Sequence, residues 1–515
     1  QWLNEDEATA CITMYIEGLH DGRRFIETAQ CAKKPIVALK AGVSAHGAAA
    51  AASHTGSMAG SGRIYSAAFK QAGVVHAADL NNLFDRTLAL SLQPPMQGDN
   101  LLVLSNGGGV GVLAADAAER YGVPLQFAPD DVQEALKAYM PPFGSAKNPV
   151  DLTGMVGWRE YEETVKYAMG HSWVDGLVVL YCETQRTEPM KIAESIKRAV
   201  DARPVRSSKP DRSVPIAVSF IGGERSDVAM KWLAEHGIPA YGAPDLAVNA
   251  IAALREYARA CQDVRVSAAF EPFSDVDQAK ARAILARVRA EDRDPTEIEA
   301  KRVFAAYGLP VAATELARSE EEAVAMAEAL GYPVVMKIIS PDILHKSDAG
   351  GVKINVRGAE DVRATYHEIL ENARAYAMDA DIHGVAIQEM APWGTEVILG
   401  SVNDPTFGPT LMFGLGGVFV EVLRDVTFRV APVSTARAMK MLSEIAGAPI
   451  LQGVRGEAAR DREALAEALS RYAQMITELG DEISESDANP VLVYAAGKGI
   501  KVVDARIILK IQNDE

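Results

Sequence analysis

The chain has 515 residues, 48% of them hydrophobic, with a formal charge of -17 and a pI near 5.1. That length exceeds one hydrophobic core and predicts about three or four compact units. The negative field excludes broad nucleic-acid or anionic-membrane surfaces, so any phosphate must be held by local features. No apolar run is long enough to span a bilayer, and the opening Gln1-Trp2-Leu3-Asn4-Glu5-Asp6-Glu7 is the wrong chemistry for a signal peptide. The four cysteines, Cys11, Cys31, Cys182 and Cys261, are scattered without CxxC spacing, which argues against a zinc site or a disulfide framework and fits a reducing cytoplasm. The chain does not begin with Met, so Gln1 is not expected to be the start of the gene.

Residues 11–16 and 35–39 are short apolar runs separated by helix-compatible sequence, the rhythm of a parallel α/β sheet. Ligands gather at the carboxyl ends of such strands, where Glu17-Gly18 and Lys40-Ala41-Gly42 fall. Next comes Ser53-His54-Thr55-Gly56-Ser57, one imidazole among small, hydroxylated and glycine residues. Backbone N–H groups and hydroxyls there can hold a phosphoryl group carried on the ring without a metal. The competing reading is an ordinary surface loop histidine. Residues 63–92 read as helix, short strand (Gly73-Val74-Val75) and helix, ending at Pro94-Pro95.

A second α/β unit opens with the apolar run 100–105, followed by Asn106-Gly107-Gly108-Gly109-Val110-Gly111 and an Ala-rich helix from about Val112. Strand, glycine loop and helix make an anion-binding arrangement, because the helix N-terminus offers unpaired N–H groups and partial positive charge. The same glycines also serve a bare βα turn. Further strands are predicted at Gly176–Tyr181 and Pro215–Phe220, and the unit closes near Cys261. Residues 262–294, charged and Ala-rich, read as a linker with one exposed helix.

Beyond it, amphipathic helices are predicted over Glu297–Tyr307 and Glu320–Leu330, then a strand, Tyr332–Ile338, with Lys337 inside its apolar run. A lysine so placed is expensive to bury unless an anion meets it; the alternative is an edge strand with Lys337 facing water. Residues 340–353, with His345 and the pair Gly350-Gly351, suit a cover over a ligand. Residues 385–400 form two strand-like segments bearing Glu389 and Glu396. Near the end, Asn489 and Asp504 supply an amide and a carboxylate that suit Mg²⁺, a hard ion that prefers oxygen and often binds through few protein ligands plus phosphate; the competing reading of each acidic group alone is a turn residue or a cap.

Taken in order, Tyr15-Ile16-Glu17-Gly18, Ser53-His54-Thr55-Gly56-Ser57, Asn106–Gly111, His345-Lys346-Ser347-Asp348-Ala349-Gly350-Gly351-Val352 and Asp487-Ala488-Asn489-Pro490-Val491 resemble the NDP-forming acyl-CoA synthetases, relatives of succinyl-CoA synthetase. The resemblance spans nearly the whole chain. It implies two flavodoxin-like parallel-sheet domains (1–92, with the phosphohistidine, and 93–262), a linker (263–294) and an ATP-grasp domain (295–512).

The resemblance also implies site roles. His54 is the phosphohistidine and Glu17 the carboxylate that orients its imidazole; a carboxylate accepting the other ring N–H fixes the tautomer. The loop Asn106, Gly107, Gly108, Gly109 and Gly111 faces the phosphohistidine. Lys337 binds the nucleotide phosphates, Glu389 and Glu396 are nucleotide-site carboxylates, and Asn489 and Asp504 hold Mg²⁺. His345 stands where the acetate–CoA ligase branch has a second histidine, proposed to relay phosphate.

The implied activity is ADP-forming acyl-CoA synthesis from ATP, CoA and a small carboxylic acid, in a homo-oligomer; the acid, and ATP over GTP, stay open. No counterpart of the family's Rossmann-like CoA-binding domain is present, so a truncated segment or separate subunit is expected to supply it. The alternatives are a regulatory or partner-dependent module of the same fold, and an ATP- and CoA-dependent lyase working through an acyl-CoA intermediate.

Overall fold

The first two apolar runs become β1 (Ile12–Ile16) and β2 (Ile36–Lys40), which pair in parallel and are joined by β3 (Val75–Ala77) in a three-stranded sheet ordered β1-β2-β3. The third strand starts two residues later than its apolar run because Gly73, at φ +77°, makes the turn that ends the helix Gly62–Ala72. These coordinates are a computed structural model that describes residues 1–44, 46, 62–202, 213–266, 269–343, 345–417, 425–454 and 456–511. His54 lies outside the described residues.

The second sheet is five-stranded and wholly parallel: β4 (Leu101–Ser105), β5 (Val150–Asp151), β6 (Gly176–Cys182), β7 (Ile216–Ile221) and β8 (Ala240–Tyr241), in the order β5-β4-β6-β7-β8. Its central strands read as unbroken apolar runs because both faces are covered. In β4, Leu101 and Val103 enter one hydrophobic cluster, with Val178, Ala217 and Leu254, while Leu102 and Leu104 enter another, with Val179, Val218 and Tyr161. The first cluster also takes in Val37, Leu39 and Val75, so the two parallel sheets share one core. The long helix Pro244–Val266 completes it, tied by Arg255 to Asp99 at 2.7 Å and by Glu256 to Arg86 at 2.8 Å.

The order in which strands are added reverses at β4, with β5 on one side and β6 on the other, the switch point at which a crevice opens at the carboxyl ends of parallel strands. One polar side chain closes its floor. Asn106 is 3% exposed; its Nδ2 donates to the Cys182 carbonyl at 2.9 Å, and its Oδ1 accepts the Cys182 N–H at 2.7 Å.

The chain forms two compact units, residues 1–19 with 24–266, and residues 20–23 with 267–515. The second unit holds two antiparallel sheets. One contains β9 (Thr314–Ala317), β10 (Val334–Ile339), β11 (Val352–Val356) and β12 (Gly384–Glu389), in the order β11-β10-β12-β9. The other contains β13 (Thr395–Asp404), β14 (Gly408–Leu415), β15 (Val426–Val430), β16 (Ile483–Val493) and β17 (Ile500–Val502), ordered β15-β14-β13-β16-β17, with β18 (Ala505–Leu509) also on β16.

The helix Gln278–Ala290, expected to be exposed within a linker, is instead packed. Ala281, Leu285 and Val288 are fully buried against the core of the second antiparallel sheet, and Arg282 pairs with Asp481 and Glu482 at 3.1 and 2.6 Å. Among the described residues no helix is long and apolar enough to cross a membrane.

Two substitutions test this packing in urea denaturation. Leu285→Ala is expected to cost about 2–5 kcal/mol, a cavity-sized loss that an exposed linker helix would not show. Asn106→Ala strands the Cys182 N–H and carbonyl and is expected to cost about 2–3 kcal/mol; an unchanged transition would mean that the side chain is not needed there.

Candidate nucleotide and phosphoryl-transfer site

Alternation along β10 decides where Lys337 goes. Met336 and Ile338 enter the hydrophobic cluster on one face of the four-stranded sheet, so Lys337 and Ile339 point to the other, which the helix Glu297–Ala306 covers. β10 lies between β11 and β12, which removes the edge-strand alternative, and Lys337 is 5% exposed.

The anion that burial of Lys337 demands comes from that helix. Thr296 caps it, and Glu299 returns the bond to the Thr296 N–H, fixing the first turn. Glu297, the first helical residue, has a side chain 1% exposed and meets three ammonium groups: Lys301 and Lys337 each at 2.8 Å on Oε1, and Lys346 at 2.5 Å on Oε2. Burial works against its charge, but Lys337, Lys301 and Lys346 together hold it well below the usual carboxylate range.

Lys301 also donates to Thr314 Oγ1 at 3.0 Å and to Gln388 Oε1 at 2.6 Å. Burial, with Lys337 nearby, brings it down to about 8 despite Glu297. Lys337 is pushed down by burial and up by Glu297 and Asp504; the carboxylates win, and its ammonium is held above the ordinary lysine value. Its second contact is Asp504 Oδ2 at 3.3 Å.

Asp504 lies between β17 and β18 and opens toward a set of oxygen donors. Its carbonyl accepts the Asn489 N–H at 3.2 Å, and Asp487 and Asn489 share one face of β16. Burial lifts Asp487 to about 6; Arg506 lowers it, while Asp504 and Glu485 add to the rise. An amide and crowded carboxylates suit a hard divalent cation. Among the described residues no group of three His, Cys, Asp or Glu side chains is arranged to hold a metal alone. Mg²⁺ fits this set, because it commonly takes one or two protein carboxylates and fills its shell with water and phosphate.

Glu389, at the end of β12, accepts the Lys501 ammonium at 2.8 Å and the Ala313 N–H at 2.9 Å. Burial opposes its charge, yet Lys501 and the Ala313 N–H hold it below the usual range. Glu396 is exposed at the start of β13, beside the Gly416-Gly417 turn.

His345 is exposed and lies in the segment that follows β10, which ends at Ile339. Its carbonyl accepts the Ala349 N–H at 3.2 Å, the Gly351 N–H reaches the Lys346 carbonyl at 2.8 Å, and Ile343 and Ala349 are buried. The segment expected as a ligand cover is thus an anchored turn. Lys337 bridges Glu297 and Asp504, and Asp504 in turn meets Asn489 through the backbone; Glu389 stands next to Gln388 on β12, and Glu396 belongs to the other sheet.

In the first unit, Glu17 follows β1, and its carbonyl accepts the buried Lys40 ammonium at 2.9 Å. The Lys40 ammonium lies 4.8 Å above the Tyr65 ring. The glycine loop leads straight into the helix Gly108–Arg120, so the first-turn N–H groups of Gly108, Gly109 and Val110 have no acceptor within that helix. A Cβ on Gly109 would meet nothing within 4 Å, leaving this end open. Opposite it, Thr153 sits at φ +73°, strained for a β-branched residue and held there by the Asp151 carboxylate at 2.9 Å. Asn106 differs from its neighbours, since its amide is committed to Cys182.

Glu297, Lys301, Lys346, Asp487 and Lys501 were not singled out by the sequence reading. The available signal was the capping box Thr296-Glu297-Ile298-Glu299, which places Glu297 in the first helical turn and Lys301 four residues on.

Three family models match the chain: a succinyl-CoA ligase-like flavodoxin domain over residues 1–90, a ligase-CoA domain over 101–265 and an ATP-grasp domain over 286–509. The chain is 38% identical over 513 residues to an ADP-forming acetate–CoA ligase I of Archaeoglobus fulgidus, covering 99% of this chain and 71% of that protein. It is 36% identical over 510 residues to an ADP-forming 4-hydroxybutyrate–CoA ligase of Nitrosopumilus maritimus, covering 98% and 71%. In Pyrococcus furiosus the corresponding parts are separate: the beta subunit of acetate–CoA ligase I is 51% identical over 231 residues, covering 45% of this chain and 98% of the subunit. The alpha subunit is 45% identical over 264 residues, covering 50% of this chain and 55% of the subunit. The chain therefore belongs to the ADP-forming acyl-CoA ligases, as a form that joins in one polypeptide the regions that Pyrococcus divides between two subunits.

Proposed function

We propose that this protein makes acyl-CoA from a small carboxylic acid, CoA and ATP, releasing ADP and phosphate. What carries the reading, within a chain of this family, is the buried lysine cluster beside an oxygen-donor set, an arrangement that answers to a polyphosphate with a divalent cation. Lys337 receives the nucleotide phosphates, with Glu389 and Glu396 as nucleotide-site carboxylates. Asn489 and Asp504 would hold Mg²⁺, which supplies charge neutralisation at the phosphates.

The γ-phosphoryl group passes to a histidine nitrogen as the bond to the β-phosphate oxygen breaks and ADP leaves. His345 acts as relay and His54 as the phosphohistidine, with Glu17 orienting the His54 ring. The phosphoryl group then moves to the substrate carboxylate, and the CoA thiolate attacks the acyl phosphate and expels inorganic phosphate. Gly107, Gly108, Gly109 and Gly111 form the proposed phosphoryl-binding loop, whose open backbone approach is at Gly109, while Gly111 is buried against Pro149 and Asn106 holds the floor. A homo-oligomer in a reducing cytoplasm is the proposed setting, in keeping with four unpaired cysteines.

Incubation with γ-labelled ATP and Mg²⁺ is expected to leave acid-labile, base-stable phosphate on the protein, and His54→Ala to abolish turnover. A His54→Ala protein that still forms acyl-CoA at the parental rate would refute the mechanism. Lys337→Met keeps the aliphatic stem but not the charge; calorimetry is expected to show Mg-ADP affinity reduced by roughly tenfold or more, the scale of a lost charge-assisted contact.

A further inference from the structure

Glu297 joins three elements through one carboxylate. It starts a helix whose first turn is locked by the Thr296–Glu299 capping box, so its backbone is fixed. Oε1 takes Lys337 from β10 and Lys301 from the helix itself, each at 2.8 Å; Oε2 takes Lys346 from the turn after β10, at 2.5 Å. Lys346 is the residue next to His345, and its carbonyl closes the same turn by accepting the Gly351 N–H at 2.8 Å. Lys346 reaches Asp504 only at 3.9 Å, so Glu297 is its principal partner.

Burying four charged groups is a poor way to gain stability, since apolar residues of similar volume do as well or better. What a buried, hydrogen-bonded charge cluster supplies is fixed geometry. We propose that Glu297 is a positioning residue for phosphoryl transfer: holding Lys337 through one oxygen and Lys346 through the other, it fixes the turn that carries His345 against the strand that carries the phosphate-facing lysine. The proposal rests on the reading of Lys337 and His345 given above. It accounts for a split that a simple counter-ion would not need, because one oxygen is given to the strand and helix and the other to the turn alone.

Two substitutions separate the branches. In Glu297→Gln only one oxygen remains, and the amide NH₂ must face an ammonium, donor against donor. Lys346→Met leaves Glu297 with Lys301 and Lys337 and frees only the turn. The experiment uses the full chain and two readouts: amide hydrogen exchange of residues 340–351 without nucleotide, and the initial rate of acid-labile labelling from γ-labelled ATP across a range of ATP concentrations.

Each single variant is expected to speed exchange of the turn by roughly tenfold and to slow labelling at saturating ATP by a similar factor, the range seen when charge-assisted anchors are removed. The double variant is expected to be no worse than the poorer single one, because both remove the same tether. Glu297→Asp, which keeps the charge with a shorter reach, should recover part of the rate. Unchanged exchange of 340–351 in both single variants, or labelling losses that multiply in the double variant, overturns the proposal. Should Glu297→Gln lack a cooperative melt, Lys346→Met alone decides, and parental exchange and labelling in it are the overturning result. A parent protein that takes no label from ATP refutes the functional reading and this role with it; a labelled parent with unaffected variants refutes the proposal alone.

Discussion

A carboxylate nearly sealed from water and bonded to three lysines sets the terms for the second unit. Each ammonium alone would be costly to bury, and so would the carboxylate; together they are tolerable only with close, well-aligned contacts. That condition explains details otherwise unconnected. The helix that carries Glu297 needs a rigid start, which the Thr296–Glu299 capping box supplies. β10 must put Lys337 on the face opposite Met336, and the alternation of a central strand does so. Lys301 needs further acceptors, and Thr314 and Gln388, from β9 and β12, provide them. Three strands and a helix are thereby locked at the point where chemistry is proposed.

The cluster stays unbalanced toward positive charge even when Asp504 is counted, three ammoniums against two carboxylates, and Asp504 is shared with the donor set around Asn489 and Asp487. A site with this balance favours an anion of several charges over a single carboxylate.

Legibility in the sequence followed burial. β2, β4, β6 and β7 were readable as strands because strands covered on both faces leave uninterrupted apolar runs. Lys337 stood out for the same reason, a charge inside such a run, and the demand for an anion followed from its cost. Which anion could not be read: Glu297 and Lys301 at a spacing of four look like a solvated helix pair, and only tertiary packing turns that pair inward. The helix Gln278–Ala290 failed in the opposite sense. Arg282, Arg287 and Arg289 suggested exposure, but Arg282 and Arg287 find carboxylates, Arg289 finds backbone carbonyls, and the apolar face is buried. Asn106 was read with the glycines as part of the loop that faces the phosphohistidine; both ends of its amide are taken by the backbone of Cys182, a cross-strand bond that no local pattern announces.

The two units handle anions by different physics, and the difference suits their proposed tasks. The glycine loop of the first unit offers backbone N–H groups and a helix dipole, fixed partial charges that need no counter-ion when empty and no rearrangement when filled. Such a device can hold a phosphoryl group weakly enough to pass it on. The second unit uses full charges, which bind a polyphosphate far more strongly but cannot be left buried without partners. Glu297 meets that condition inside the protein: it bonds all three lysines in place and, with Asp504, holds the Lys337 ammonium above the ordinary lysine value against its burial, so the site does not have to assemble its charge on binding. The extra carboxylate, which weakens net attraction for an anion, is the necessary counterpart of having the cations in position beforehand.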